Sequence, residues 1–104
     1  MHTDVSQNRD RMAVLCRRFG VTRLELFGSA ARGADFDRSA SDADFLVTFT
    51  EAARNDLLAF EGFRAALEEM LGRRVDLVER EAVEMSRNFI RRRRILAEAL
   101  PVYG

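Results

Sequence analysis

The sequence predicts a mixed α/β (α+β) fold, a small mixed sheet with helices packed on it. Three observations lead there. Apolar spacing switches between the helical and the extended period along the chain, glycine or proline closes most segments, and 104 residues suit one domain. The expected order is α-β-α-β-α-β-α over a single domain, residues 1–104.

From about Asp4 to Phe19, the residues Val5, Met12, Leu15, Cys16 and Phe19 recur at helical spacing, and Gly20 is a natural stop. Cys16 lies on that apolar stripe, so a packed thiol is expected rather than a reactive one. Leu24 and Leu26 then alternate with Arg23 and Glu25 in a short strand that ends at Gly28-Ser29. Ser29 to Arg32 would open a short helix closed by Gly33, and a polar loop, Ala34 to Ser41, leads into a second strand from Asp42. Between Asn55 and Leu71, Leu57, Phe60, Phe63, Leu67, Met70 and Leu71 share one helical face, with Gly72 as the stop. Arg74 to Glu79 reads as a third strand, and a last helix from Ser86 to Leu100 is stopped by Pro101.

Composition narrows the chemistry. Basic and acidic residues number 17 each and cancel, so any polyanion must be met locally rather than by a general field. Every basic residue apart from His2 is arginine. Without lysine, neither a P-loop nor a Schiff-base enzyme is possible. One cysteine allows no internal disulfide and suits a reducing cytoplasm. No stretch approaches the ~18 apolar residues of a membrane span.

Asp42 and Asp44 are two apart in a strand, so their carboxylates lie side by side on one face, opposite Ala43, Phe45 and Val47. Two anions held that close repel unless something positive bridges them, and a hard divalent cation with oxygen ligands is the natural bridge. Asp76 interrupts the apolar run of the third strand, where an unpaired acid is costly. If the two strands are neighbours with matching faces, three carboxylates converge, enough for two metal ions at a phosphate. Gly28-Ser29 stands where a strand turns into a helix, a place where backbone N–H groups and a hydroxyl can cradle phosphate, with Arg32 one turn on. Each piece alone is commonplace, since Asp-x-Asp and Gly-Ser are usually turns. Their order is what carries information.

That order, Leu26-Phe-Gly-Ser-Ala-Ala-Arg-Gly33, Ser41-Asp-Ala-Asp-Phe-Leu-Val47 and Val75-Asp-Leu-Val78, resembles the minimal nucleotidyltransferase (MNT) family of the DNA polymerase β superfamily. The ending Arg94-Ile-Leu-Ala-Glu-Ala-Leu-Pro-Val-Tyr103 is similar to the family's last helix and tail, so the resemblance runs from Val21 to Tyr103. It implies a nucleotidyltransferase-like fold of the polymerase β type. It further implies that Ser29 binds the triphosphate, that Asp42 and Asp44 hold two Mg²⁺ ions, and that Asp76 completes the site and helps activate an acceptor hydroxyl. Many MNT proteins are antitoxins of HEPN/MNT modules that use ATP to add AMP to a tyrosine of the HEPN ribonuclease toxin. A HEPN-domain toxin in a hetero-oligomer is therefore the implied partner. The small size agrees, because one nucleotide leaves little room for an acceptor pocket. Two features depart from the family pattern: a loop before Asp42 that is about two residues longer, and small residues at Ala30 and Ala43.

The run Arg91 to Arg94 is first a solvated helix face. Phe89, Leu96 and Leu100 define an apolar arc that includes Arg93, which then either packs its stem or points at phosphates or a partner. Phe36 in the polar loop either folds back on the domain or contacts a partner or adenine. His2, the only histidine, is a poor candidate for catalysis. A non-catalytic antitoxin that covers its toxin is the alternative function. Direct nucleic-acid binding is disfavoured by the zero net charge.

Overall fold

The computed structural model describes residues 7–28 and 43–104. The expected roles of Val5, Ser29, Arg32, Phe36 and Asp42, and the short helix opening at Ser29, lie outside those residues. Helix α1 (Arg9–Phe19) ends at Gly20, whose left-handed φ of 73° lets its N–H reach back to Cys16 O. Strand β1 (Val21–Phe27) follows, and β2 (Ala43–Phe49) pairs with it antiparallel. Helix α2 (Leu57–Leu71) starts on Asp56, whose Oδ1 accepts from the N–H groups of Leu58 and Ala59, and stops at Gly72 with φ 67°. Strand β3 (Val75–Glu79) runs parallel to β2, with α2 as the crossover. Two helices come next, α3 (Arg80–Glu84) and α4 (Phe89–Glu98), and then β4 (Leu100–Tyr103), which pairs antiparallel with β1. The sheet order is β3-β2-β1-β4.

The sheet is covered on both faces. On one, Leu24, Leu26, Ala43, Phe45 and Val47 pack with Met12 and Cys16 of α1 and with Phe63 and Leu67 of α2. These residues alternate along the strands as the pleat requires. Burial pushes the Cys16 thiol up to about 12, with Arg17 pulling weakly the other way, so Cys16 is an inert packing residue. On the opposite face a smaller cluster joins Phe27 and Leu46 to Val83 of α3 and Ile95 of α4.

Several expectations need correction. The chain has four described strands rather than three, because Pro101 does not end the ordered structure. It sits in β4, an edge strand, where its missing N–H is tolerated. The last helix is shorter than Ser86 to Leu100, since the Asn88 side chain caps a new start by accepting from Arg91 N–H. The arc of Phe89, Leu96 and Leu100 is not the buried one: Phe89 and Leu100 are exposed, and Ile95 enters the core instead. Arg93 is exposed. Leu57, in the first turn of α2, is exposed rather than packed with Phe63. Glu25, read as part of a polar strand face, is 2% exposed. It lies under α3, where it accepts a hydrogen bond from Arg80 Nη1, while Arg23 Nε stands 3.3 Å away.

The start of β3 is tied down twice. Ala43 N–H donates to Arg74 O at 2.9 Å, and Val75 N–H donates to the Glu68 carboxylate of α2 at 2.8 Å. The Val75 hydrogen bond holds the Glu68 carboxyl below its ordinary range, helped by Arg64 at 2.8 Å and opposed by partial burial.

Two predictions follow from these ties. Replacing Arg80 with methionine strands Glu25 with only the more distant Arg23, and should cost about 3 kcal/mol in urea unfolding. The double change Arg80→Met with Glu25→Leu should recover most of that loss. Because the Glu68 pKa is lowered in the folded chain, its stabilisation is complete above the unfolded value of 4.5 and is lost as pH falls through the folded value. Glu68→Gln should therefore be less stable than the parent at about pH 7, with the gap closing towards about pH 3. A gap independent of pH would contradict this.

Candidate functional site

The site follows from strand register. Phe27 of β1 stands opposite Asp44 of β2, and Asp44 stands opposite Asp76 of β3. In a parallel pair, residues in register share a face, so Asp44 and Asp76 project from the same side of the sheet. That side is the one carrying Phe27, Leu46 and the small cluster under α3 and α4. Both acids stand at the beginning of their strands, and Phe27 at the end of its own, so all three gather at one end of the sheet. Asp44 is half-buried and Asp76 is exposed.

Gly28 continues from Phe27 with φ +73°, a backbone region that side chains strongly disfavour. A Cβ at this position would lie 2.7 Å from Asp44 Oδ2. The carboxylate thus occupies the space that only glycine leaves open, and the turn and the acid are fitted to one another. Gly28 lines a cleft of about 650 Å³ together with Phe27 and residues of α4. Arg93 is not among the residues that line it.

Of the residues expected at the site, the structure brings together Asp44, Asp76 and Gly28. Asp42, Ser29 and Arg32 lie outside the described residues. Among the described residues no third acid, histidine or cysteine joins the aspartate pair to form a metal-binding group of three. The pair itself offers hard oxygen ligands. The Asp76 carboxylate makes no ion pair with any described arginine. Adjacent carboxylates on one sheet face are a donor set suited to a divalent metal ion. Sequence reading missed Glu68. The signal was an acid four residues after Arg64 and just before the Gly72 stop, but the backbone N–H it accepts from is visible only in the fold.

Among the described residues no helix is long and apolar enough to cross a membrane. A match to the nucleotidyltransferase domain family spans residues 12–97. The chain is 41% identical over 70 residues to the protein adenylyltransferase MntA of Thermococcus cleftensis, an alignment covering 67% of each chain. It is also similar to a solved minimal nucleotidyltransferase, at 36% identity and a TM-score of 0.73, over 97% of this chain and 98% of that one. A further likeness, in fold alone, is to the complex of a tri-AMPylated Shewanella oneidensis HEPN toxin with its MNT antitoxin: TM-score 0.63, 19% identity, 96% of this chain and 72% of that one. The matched stretch runs from within α1 to within α4 and takes in all of β1, β2 and β3, and the chain belongs to the nucleotidyltransferase domain family.

Proposed function

We propose that this chain transfers AMP from ATP to a tyrosine hydroxyl of a HEPN-domain toxin, and in doing so acts as its antitoxin. The observation that carries the reading is the in-register placement of Asp44 and Asp76 beside the Gly28 turn. The names of the relatives support the group transferred and the partner, since one is a protein adenylyltransferase and another accompanies an AMPylated HEPN toxin.

In this reading Asp42, Asp44 and Asp76 hold two Mg²⁺ ions, while Gly28, Ser29 and Arg32 hold the triphosphate. Bound there, Mg²⁺ supplies positive charge to the phosphate oxygens. Asp76, the exposed member of the pair, accepts the proton of the incoming hydroxyl. The acceptor oxygen bonds to the α-phosphorus, the bond from that phosphorus to the bridging oxygen breaks, and pyrophosphate leaves with the electron pair. The exposed acid suits an acceptor delivered from a second protein, in a hetero-oligomer. The reading needs no direct nucleic-acid or membrane contact, and it places the pair in the cytoplasm.

Intact mass of the purified toxin, after incubation with this chain, ATP and Mg²⁺, is the direct test. The parent should add AMP units, and EDTA should prevent it. Asp44→Asn and Asp76→Asn should each abolish transfer while melting as the parent does. Persistent transfer by both would reject the assignment. Toxin neutralisation by the Asp42→Asn, Asp44→Asn double variant would instead favour a protein that silences its partner by covering it. Gly28→Ala forces a Cβ to within 2.7 Å of Asp44 Oδ2 on a left-handed backbone, so its transfer rate should fall about a hundredfold. A rate within a few-fold of the parent would mean that Asp44 does not need its present position.

A further inference from the structure

We propose that Arg91 and Arg94 of α4 bind the terminal phosphates of the nucleoside triphosphate, a role no sequence motif assigns to them; it rests on the site placement proposed above. The cleft of about 650 Å³ beside the acid pair is lined by Phe27, Gly28, Ile90, Arg91, Arg94 and Glu98, among others. Its volume is in the range of small-ligand sites. Neither acid lines it, but it adjoins Asp44: Phe27 pairs with Asp44 in the ladder, and a Cβ built on Gly28 would lie 2.7 Å from the Asp44 carboxylate.

Two acids attract metal ions, yet they repel a triphosphate of about four negative charges, so the site needs cations that stay in place. The chain has no lysine, which leaves arginine. Arg91 and Arg94 lie three apart, on one side of the helix. Their neighbour Arg92 is committed to structure, donating to Glu84 O and Ser86 O. Arg80 and Arg64 are held by Glu25, Glu61 and Glu68. Arg91 and Arg94 are exposed, and neither forms an ion pair with a described acid. Among the described residues that line the cleft, one carboxylate, Glu98, stands against them and has an interaction of its own, so this described lining carries net positive charge. A guanidinium presents paired N–H donors that match two phosphate oxygens at once. Since the α-phosphorus reacts beside the acids, the arginines farther along the cleft meet the β- and γ-phosphates.

The test is equilibrium binding of ATP and of AMP, each with Mg²⁺, to the parent and to Arg91→Gln, Arg94→Gln and the double variant. Arg93→Gln, which changes an arginine outside the cleft, is the control. Each cleft variant should weaken ATP binding about fivefold to tenfold, and the double variant more, with melting temperature unchanged. AMP binding should change less than twofold, and Arg93→Gln should match the parent. A parent that binds ATP alongside cleft variants that bind it equally well overturns this inference alone. Equal losses for ATP and AMP overturn the assignment to the terminal phosphates. A parent with no affinity for ATP overturns the inference together with the site reading beneath it.

Discussion

Two carboxylates in register on adjacent parallel strands repel each other, and much of the architecture serves to hold them there. The pairing of Asp44 with Asp76 follows from the β2–β3 ladder, and neither acid can retreat without breaking it. The helix α2 supplies the crossover that makes the strands parallel, and its Glu68 clamps the backbone one residue before Asp76. The Ala43 N–H fixes the same point from β2. Holding two carboxylates this close does not itself stabilise the fold, which is why the proposed function gives them metal ions to hold.

The two faces of the sheet divide the work. The face under α1 and α2 carries the large apolar cluster and stabilises the fold. Among the described residues, the opposite face is packed by a smaller group centred on Phe27, Leu46, Val83 and Ile95, with Glu25 and Arg80 between β1 and α3. The buried ion pair there contributes little more than an apolar pair of the same volume would. It does fix α3 against β1, and so helps to set where α4 lies relative to the acids. Stability on one face leaves the other to the proposed chemistry.

Most of this was legible in the sequence because it was local. Strand alternation predicted β1, β2 and β3, helical spacing and a glycine stop predicted α1 and α2, and period two set Ala43, Phe45 and Val47 on the face opposite the acids, where they are buried. The in-register meeting of Asp44 and Asp76 was conditional on strand neighbours, and the ladder supplied that condition. What escaped reading was set by distant partners. Glu25 looks solvent-facing until Arg80, 55 residues away, arrives to neutralise it. Strand β4 has four residues and a proline, no local strand signal, and exists because β1 offers it a free edge. In the last helix, Asn88 competes as a cap with a helix start at Ser86, and an arginine-rich stretch gives apolar periodicity too few points to choose between Leu96 and Ile95.

Charge placement is the remaining constraint. A chain whose charges sum to zero has no overall pull on a nucleotide, so attraction must come from where the arginines are left unspent. Arginines at the sheet's structural joints are paired: Arg64 with Glu61 and Glu68, and Arg80 with Glu25. The α4 arginines facing the cleft belong to a helix that buries only Ile95. A helix held by so few core contacts can devote its other sides to solvent and ligand. That leaves its guanidinium groups beside the end of the sheet where the acids gather, with opposite charges separated rather than cancelled. A metal–triphosphate complex is itself divided in this way, so the proposed site, with acids at one end and arginines along the cleft, would select for it over either component alone.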